Sequence, residues 1–231
     1  MTSGETDALR SQYRIGTRII ALVCMGMVAV LGGLAHPLLG VWLGEEFAAS
    51  GTWVLRILLM AYAAGACFTL PSVAADAAGR PGLPAGVLSV ASLVHVPLVL
   101  LGIHAWGIVG AALGLLAGMI LLVFGAGVIH RRLAELPSLS VALRETRGAL
   151  LAGFLTGSLA LLVARSPFPS SGIGPLLLSL LGMGLVYVLF LYVFRGFLPE
   201  DARRLLGLLR DVQRGPNPVF HENRLRASRE R

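Results

Sequence analysis

The chain has 231 residues, of which 56% are hydrophobic and only 13% are charged, and its mean hydropathy is +0.80. This amount of polar surface is too small to cover a water-soluble globule. We therefore expect the chain to fold in lipid. The formal net charge is +7, but the arginines stand at the ends of apolar segments without interleaved aromatic residues, which argues against a nucleic-acid-binding surface.

Six apolar segments of about 20 residues each predict membrane-spanning helices. They cover residues 19–42, 53–75, 83–103, 108–129, 149–164 and 173–194, and the fifth is the shortest. The sequence therefore predicts an all-α integral membrane domain over residues 18–195. The polar segment 1–17 precedes the first span, so this span is expected to remain a membrane helix and not to be a cleaved signal peptide.

The arginines orient the predicted spans. With the N-terminus in the cytoplasm, all but two of the 19 basic residues fall on the cytoplasmic side, the exceptions being Arg56 and Arg165. An even number of spans then places both termini there. We expect a multi-pass protein of the inner, cytoplasmic membrane.

Residues 196–214 are predicted to form a cytoplasmic amphipathic helix. Leu205, Leu208 and Leu209 recur there at helical spacing, opposite Arg203 and Arg210. The following segment, 215–231, is polar and unpatterned, so we expect a disordered basic tail.

Glycines in the fourth predicted span form the clearest packing signal. Gly110, Gly114 and Gly118 repeat every four residues and so share one helix face, where another backbone can approach closely. Gly153 and Gly157 repeat the pattern more weakly in the fifth span. We interpret both as helix-packing stripes.

Polar residues are rare inside the spans, and such residues are often functional. Thr69, Ser72 and Asp76 share a face of the second span, because they are spaced by three and four residues. The carboxylate of Asp76 could line a cavity, or it could pair with Arg80 one turn later.

A second polar stripe is predicted on the third span, where Ser89, Ser92 and His95 lie three residues apart. Together with the stripe on the second span it could line a hydrated groove. His95 is open to two interpretations, a hydrogen-bonded residue between helices or a proton carrier.

Arg18 and Arg56 lie about one turn from the ends of the first two predicted spans. Their side chains could reach the membrane surface, or they could draw an anionic substrate such as a phosphate to the mouth of a cavity. Glu45 and Glu46 offer alternative partners for Arg56.

No motif for catalysis, metal binding or a cofactor is recognisable. The two cysteines, Cys24 and Cys67, both lie in apolar runs, and no histidine or cysteine cluster has the spacing of a metal site. We therefore expect neither an enzyme nor a cofactor.

Several runs resemble the C-terminal half of polysaccharide-biosynthesis flippases, in the superfamily of multidrug, oligosaccharidyl-lipid and polysaccharide exporters. The order and spacing of the runs relative to the predicted helices carry the resemblance, which covers about residues 10–195. The runs are His36-Pro37-Leu38-Leu39, Val41-Trp42-Leu43-Gly44-Glu45-Glu46-Phe47-Ala48, Leu55-Arg56-Ile57-Leu58, Ala78-Gly79-Arg80-Pro81 and Trp106-Gly107-Ile108-Val109-Gly110-Ala111-Ala112.

The resemblance implies a transporter that moves a lipid-linked oligosaccharide, typically on undecaprenyl diphosphate, to the outer leaflet. Family members have two six-helix lobes around a cleft, and the first two helices of each lobe line it. Here these helices would carry Arg18, Arg56, Thr69, Ser72 and Asp76.

The chain departs from the family because it has about six spans where relatives have twelve or more, and its spans resemble the second lobe. A second six-helix lobe is therefore expected as a partner, either a separate chain or another copy. The alternatives are a cation or drug exporter of the same superfamily, and a scaffold or truncated remnant that does not transport.

Overall fold

The computed structural model describes residues 3–133, 139–170 and 172–194, and within these ranges the chain forms six helices and no strand. The amphipathic helix predicted for 196–214 and the basic tail 215–231 lie outside the described residues. The helices are α1 (Ser3–Gly33), α2 (Ala35–Leu43), α3 (Glu45–Ala77), α4 (Gly82–Arg132), α5 (Leu139–Ala164) and α6 (Ile173–Val193).

Five of the six described helices, all except α2, are long and apolar enough to cross a membrane. This confirms the predicted all-helical class within the described ranges and is what a multi-pass membrane protein requires. The fifth predicted span is part of a longer helix, because α5 begins at Leu139.

The longest helix, α4, is folded back on itself. Its 51 residues would extend about 76 Å as one straight helix, far more than a bilayer core of about 30 Å. Trp106 (φ −136°, ψ 19°) and Gly107 (φ 60°, ψ −139°) leave the helical conformation, and the second pair of angles requires glycine. We call residues 82–105 the first limb and residues 108–132 the second limb.

The two limbs of α4 run antiparallel along the glycine stripe. An added methyl group at Gly110 would overlap the carbonyl group of Gly102, and one at Gly118 would overlap the ring of His95. At Gly114 it would lie 2.7 Å from the Cα atom of Val99. Only glycine permits this approach, so the stripe lies where the limbs come closest.

The gap between the first two predicted spans, residues 43–52, is helical except at Gly44. Helix α1 ends at Gly33, and α2 follows after Leu34, with Pro37 in its first turn, where a missing N–H costs little. Only Gly44, with φ 93°, separates α2 from α3. Because α1 and α2 share one apolar run, hydropathy does not reveal the break at Leu34.

The remaining helices pack around α1. Helix α5 runs parallel to it, since Met25 contacts Gly153, Ala29 contacts Gly157 and Gly33 contacts Ala160. Helix α6 contacts α1 through the hydroxyl group of Tyr187, which donates to the carbonyl oxygen of Leu22 at 2.7 Å.

One end of the bundle gathers the basic residues. The hydroxyl group of Tyr13 lies 2.8 Å from Nε2 of His130, which joins the start of α1 to the end of α4. Arg80, between α3 and α4, also hydrogen-bonds to the end of α4. We call this the basic end, and its exposed arginines include Arg10, Arg14, Arg80, Arg131 and Arg132.

Candidate functional site

A groove of about 560 Å³ opens between α1, α3 and α5. Its described lining is apolar except for one arginine, Arg56, and one hydroxyl side chain, Ser158. The lining residues are Met25, Val28, Ala29, Gly32, Gly33, Trp53, Arg56, Met60, Leu150, Gly153, Phe154, Gly157, Ser158 and Leu161. We call it the Arg56 groove.

The guanidinium group of Arg56 is held at the end of α1. Its Nε donates to the carbonyl oxygen of Gly32 at 3.0 Å, and its Cζ lies 5.2 Å from the centroid of the Trp53 ring. The last carbonyl groups of a helix lack partners within the helix and carry partial negative charge, so they suit a cation. This hydrogen bond uses one of the five N–H donors of the guanidinium group.

The predicted alternative partners of Arg56 are engaged elsewhere or not in contact with it. Oε1 of Glu45 lies 3.3 Å from Nε2 of His36. Within the part of the chain that the structure describes, no carboxylate lies within 4.0 Å of Arg56. The charge of Arg56 is therefore offset by the Gly32 carbonyl and the Trp53 ring, and not by a counterion.

The spacing of residues along α3 places the Arg56 side chain in the groove. Trp53 and Arg56 are three residues apart on α3 and Met60 is one turn further, so all three face the same side. This spacing was available in the sequence as a signal that Trp53 accompanies Arg56. On α1 and α5, Gly32, Gly33 and Gly157 carry no side chains that would fill the groove where the two helices meet.

Arg18 lies on the same side of α1 as the groove but far from Arg56. It precedes Met25 by seven residues and Gly32 by fourteen, so the three share a face. Fourteen residues correspond to about 21 Å along a helix. Arg18 is half-buried and lies toward the basic end. Because of this separation, the structure does not bring the two arginines together at one phosphate group.

The stripe of Thr69, Ser72 and Asp76 faces away from the groove. These residues follow Arg56 by 13, 16 and 20 positions, which places them roughly 140–160° around α3 from it. Thr69 and Asp76 are exposed, and the Ser72 hydroxyl donates to the carbonyl oxygen of Thr69 at 2.8 Å.

The ion pair considered for Asp76 and Arg80 is not formed in the described structure, where no such contact within 4.0 Å joins them. Instead, Nη1 of Arg80 donates to the carbonyl oxygen of Arg132 at 3.1 Å. Asp76 therefore stays on an exposed face of α3.

His95 is separated from the serines with which it was grouped. Its ring packs inside the α4 hairpin against Gly118, whereas Ser89 and Ser92 are exposed. Nδ1 of His95 is buried and has no hydrogen-bond partner among the described residues. His95 is thus an interhelical residue, and it is not among the described residues that line the Arg56 groove.

Within the described ranges, no group of three or more histidine, cysteine, aspartate or glutamate residues has the geometry to hold a metal ion. Cys24 and Cys67 are free thiols. The Arg56 groove offers a guanidinium group in apolar surroundings, which can bind an anion.

No protein-family model matches the chain, and neither a curated protein nor a solved structure is significantly similar to it. The function is therefore argued from the groove and the helix arrangement.

Proposed function

We propose that the chain is one six-helix lobe of a transporter that moves a lipid-linked oligosaccharide or polysaccharide precursor across the cytoplasmic membrane. The observation that carries the proposal is the guanidinium group of Arg56 in an otherwise apolar groove. A phosphate or diphosphate binds well to guanidinium donors, and hydrocarbon chains suit the apolar walls. An amphiphile with an anionic head matches both parts.

Six crossings follow if each limb of α4 spans the bilayer. A limb of about 24 residues is about 36 Å long, enough for a bilayer core of about 30 Å. The contacts support alternating directions, because α1 and α5 run parallel and the limbs of α4 run antiparallel. The basic end would face the cytoplasm and carry both termini.

Arg18 and Arg56 would contact the phosphate groups in succession. Arg18 lies on the groove side of α1 near the basic end, and Arg56 lies level with Gly32, further along the same face. A phosphate entering from the cytoplasm would meet Arg18 first and Arg56 second. Rocking of two lobes against each other would open the path alternately to the two sides.

A partner lobe would cover the polar face of α3. Tyr62 is 64% exposed, and Thr69 and Asp76 follow at intervals of seven residues, so all three share an exposed face. Polar groups that face lipid are costly, so such a face favours a second lobe or a water-filled cleft. The partner would be a separate six-helix chain or a second copy.

A cation exporter is the weaker candidate, because the described residues that line the Arg56 groove include an arginine and no carboxylate. An anionic ligand fits that lining better.

Glycan export in the native host tests the role of Arg56. We expect Arg56→Gln to abolish export while the protein still inserts, because the variant keeps the groove but loses its charge. Arg165→Gln is the matched control, since Arg165 is exposed beyond the end of α5 and does not line the groove. Full export by the Arg56→Gln variant would remove the anion site from the proposal.

The partner lobe is tested separately, by mild extraction of the tagged full-length protein from its native membrane. We expect co-purification of a second six-helix chain, or a stable homodimer. A lone monomer under these conditions would contradict a two-lobe transporter.

A further inference from the structure

A second, smaller cavity of about 270 Å³ lies at the basic end, away from the Arg56 groove. The described residues that line it are Arg80, Gly82, Leu83 and Arg132, so the turn between α3 and α4 meets the end of α4 there. Both arginines are exposed. We call it the arginine-pair cavity.

The backbone conformation at the end of α3 fixes the position of Arg80. Gly79 has φ 70°, and its N–H donates to the backbone carbonyl oxygen of Asp76 at 3.0 Å. The N–H of Arg80 donates to the backbone carbonyl oxygen of Ala75 at 2.9 Å. This pattern ends α3 with a left-handed glycine that satisfies the last carbonyl groups. Helix α4 then starts two residues later, at Gly82.

One hydrogen bond holds the guanidinium group of Arg80 beside Arg132. Its Nη1 donates to the carbonyl oxygen of Arg132 at 3.1 Å, at the C-terminal end of α4. The side chain of Arg132 makes no hydrogen bond or ion pair to the residues that the structure describes. Two cationic groups therefore border one cavity, and neither is neutralised there by a described carboxylate.

We propose that the arginine-pair cavity binds a phosphate group, carried either by an anionic lipid headgroup or by a soluble phosphate compound. Two guanidinium groups at one mouth supply several N–H donors and two positive charges, which is the chemistry that recognises phosphate. Basic cavities between membrane helices near the cytoplasmic surface take lipid phosphates in this way. The site does not depend on the function proposed for the Arg56 groove.

Native mass spectrometry of the full-length protein in detergent tests the site, with phosphatidylglycerol as the anionic probe and phosphatidylcholine as its zwitterionic counterpart. We expect preferential retention of phosphatidylglycerol by the wild type. Removal of either cavity arginine, in Arg80→Gln or Arg132→Gln, is expected to weaken that binding about fivefold. Arg131→Gln is the matched control, because Arg131 is exposed beside Arg132 but does not line the cavity.

Inorganic phosphate, added as a competitor, separates the two sources. If it displaces phosphatidylglycerol and its own binding is lost in Arg132→Gln, the ligand is a soluble phosphate compound. If it does not compete, the lipid headgroup is the ligand. Equal weakening by Arg131→Gln and Arg132→Gln would overturn the proposal, since it would reflect only the net charge of this end.

The absence of any preference for phosphatidylglycerol, together with no binding of inorganic phosphate, would also overturn the proposal. If Arg80→Gln disturbs folding through the lost bond to α4, Arg132→Gln carries the test alone, because that change removes no hydrogen bond among the described residues.

Discussion

Nε of Arg56 donates to the carbonyl oxygen of Gly32 at 3.0 Å and so ties the third helix to the end of the first. The bond lies eleven residues into α3, about 16 Å from its start. Arg56 therefore lies deeper in its helix than a residue one turn from the end. Its guanidinium group faces a groove in which, among the described lining residues, it is the only charged side chain.

The packing of the α4 hairpin is testable at Gly110. We expect Gly110→Ala to lower the free energy of unfolding by about 1–3 kcal/mol, because the added methyl group would overlap the backbone of Gly102. Gly127→Ala is the control, since a methyl group there meets nothing within 4 Å. The measurement is the midpoint of thermal unfolding in detergent. Equal midpoints for the two variants would contradict the close approach.

A disulfide tests the antiparallel register of the two limbs. A Cβ atom built at Gly125 lies 3.3 Å from Cβ of Val87, near the spacing of about 3.5–4.5 Å in disulfides. In a background with Cys24→Ala and Cys67→Ala, we expect Val87→Cys with Gly125→Cys to cross-link on mild oxidation. The pair Val87→Cys with Gly127→Cys should not, because position 127 faces elsewhere. Protection of both thiols from a maleimide reagent reports the bond, and cross-linking of both pairs alike would refute the register.

Membrane orientation is testable by thiol labelling in the same cysteine-free background. Arg131 is exposed at the basic end, and Ser166 is exposed just beyond the end of α5. We expect an impermeant maleimide to label Ser166→Cys in intact cells, and to label Arg131→Cys only after the membrane is opened. The reverse pattern would place the basic end outside.

Helix positions were predictable from the sequence where polar residues or a required glycine interrupt the apolar runs. The turn at Gly107 and the close packing at Gly110 and Gly114 both follow from glycine placement. The break after Gly33 was missed, because apolar residues continue on both sides and an apolar run suits either one helix or two. Near Glu45 and Glu46, polar residues suggested a loop, but acidic residues also favour the first turn of a helix.

The composition of the site was harder to predict than the helices. Arg56 was identified as a candidate, but the sequence does not say which helices face it, so Gly32 as its partner was not foreseen. The stripe at Thr69 and Asp76 was placed with Arg56 because they share a helix, yet the helical repeat alone puts them on the opposite side of α3. His95 lies inside the hairpin and not with Ser89 and Ser92, because Gly118 leaves room for its ring.

The most direct test of the proposed function is ligand binding at Arg56, read from the fluorescence of Trp53. Trp42 and Trp106 are 76% and 69% exposed, so replacing both with Phe leaves Trp53 as the only tryptophan. We expect undecaprenyl diphosphate to change the Trp53 emission saturably and undecaprenol, which lacks the phosphates, to leave it unchanged. Arg56→Gln should abolish the response and Arg165→Gln should retain it. The same response to both lipids, or a full response in the Arg56→Gln variant, would contradict an anionic lipid ligand in this groove.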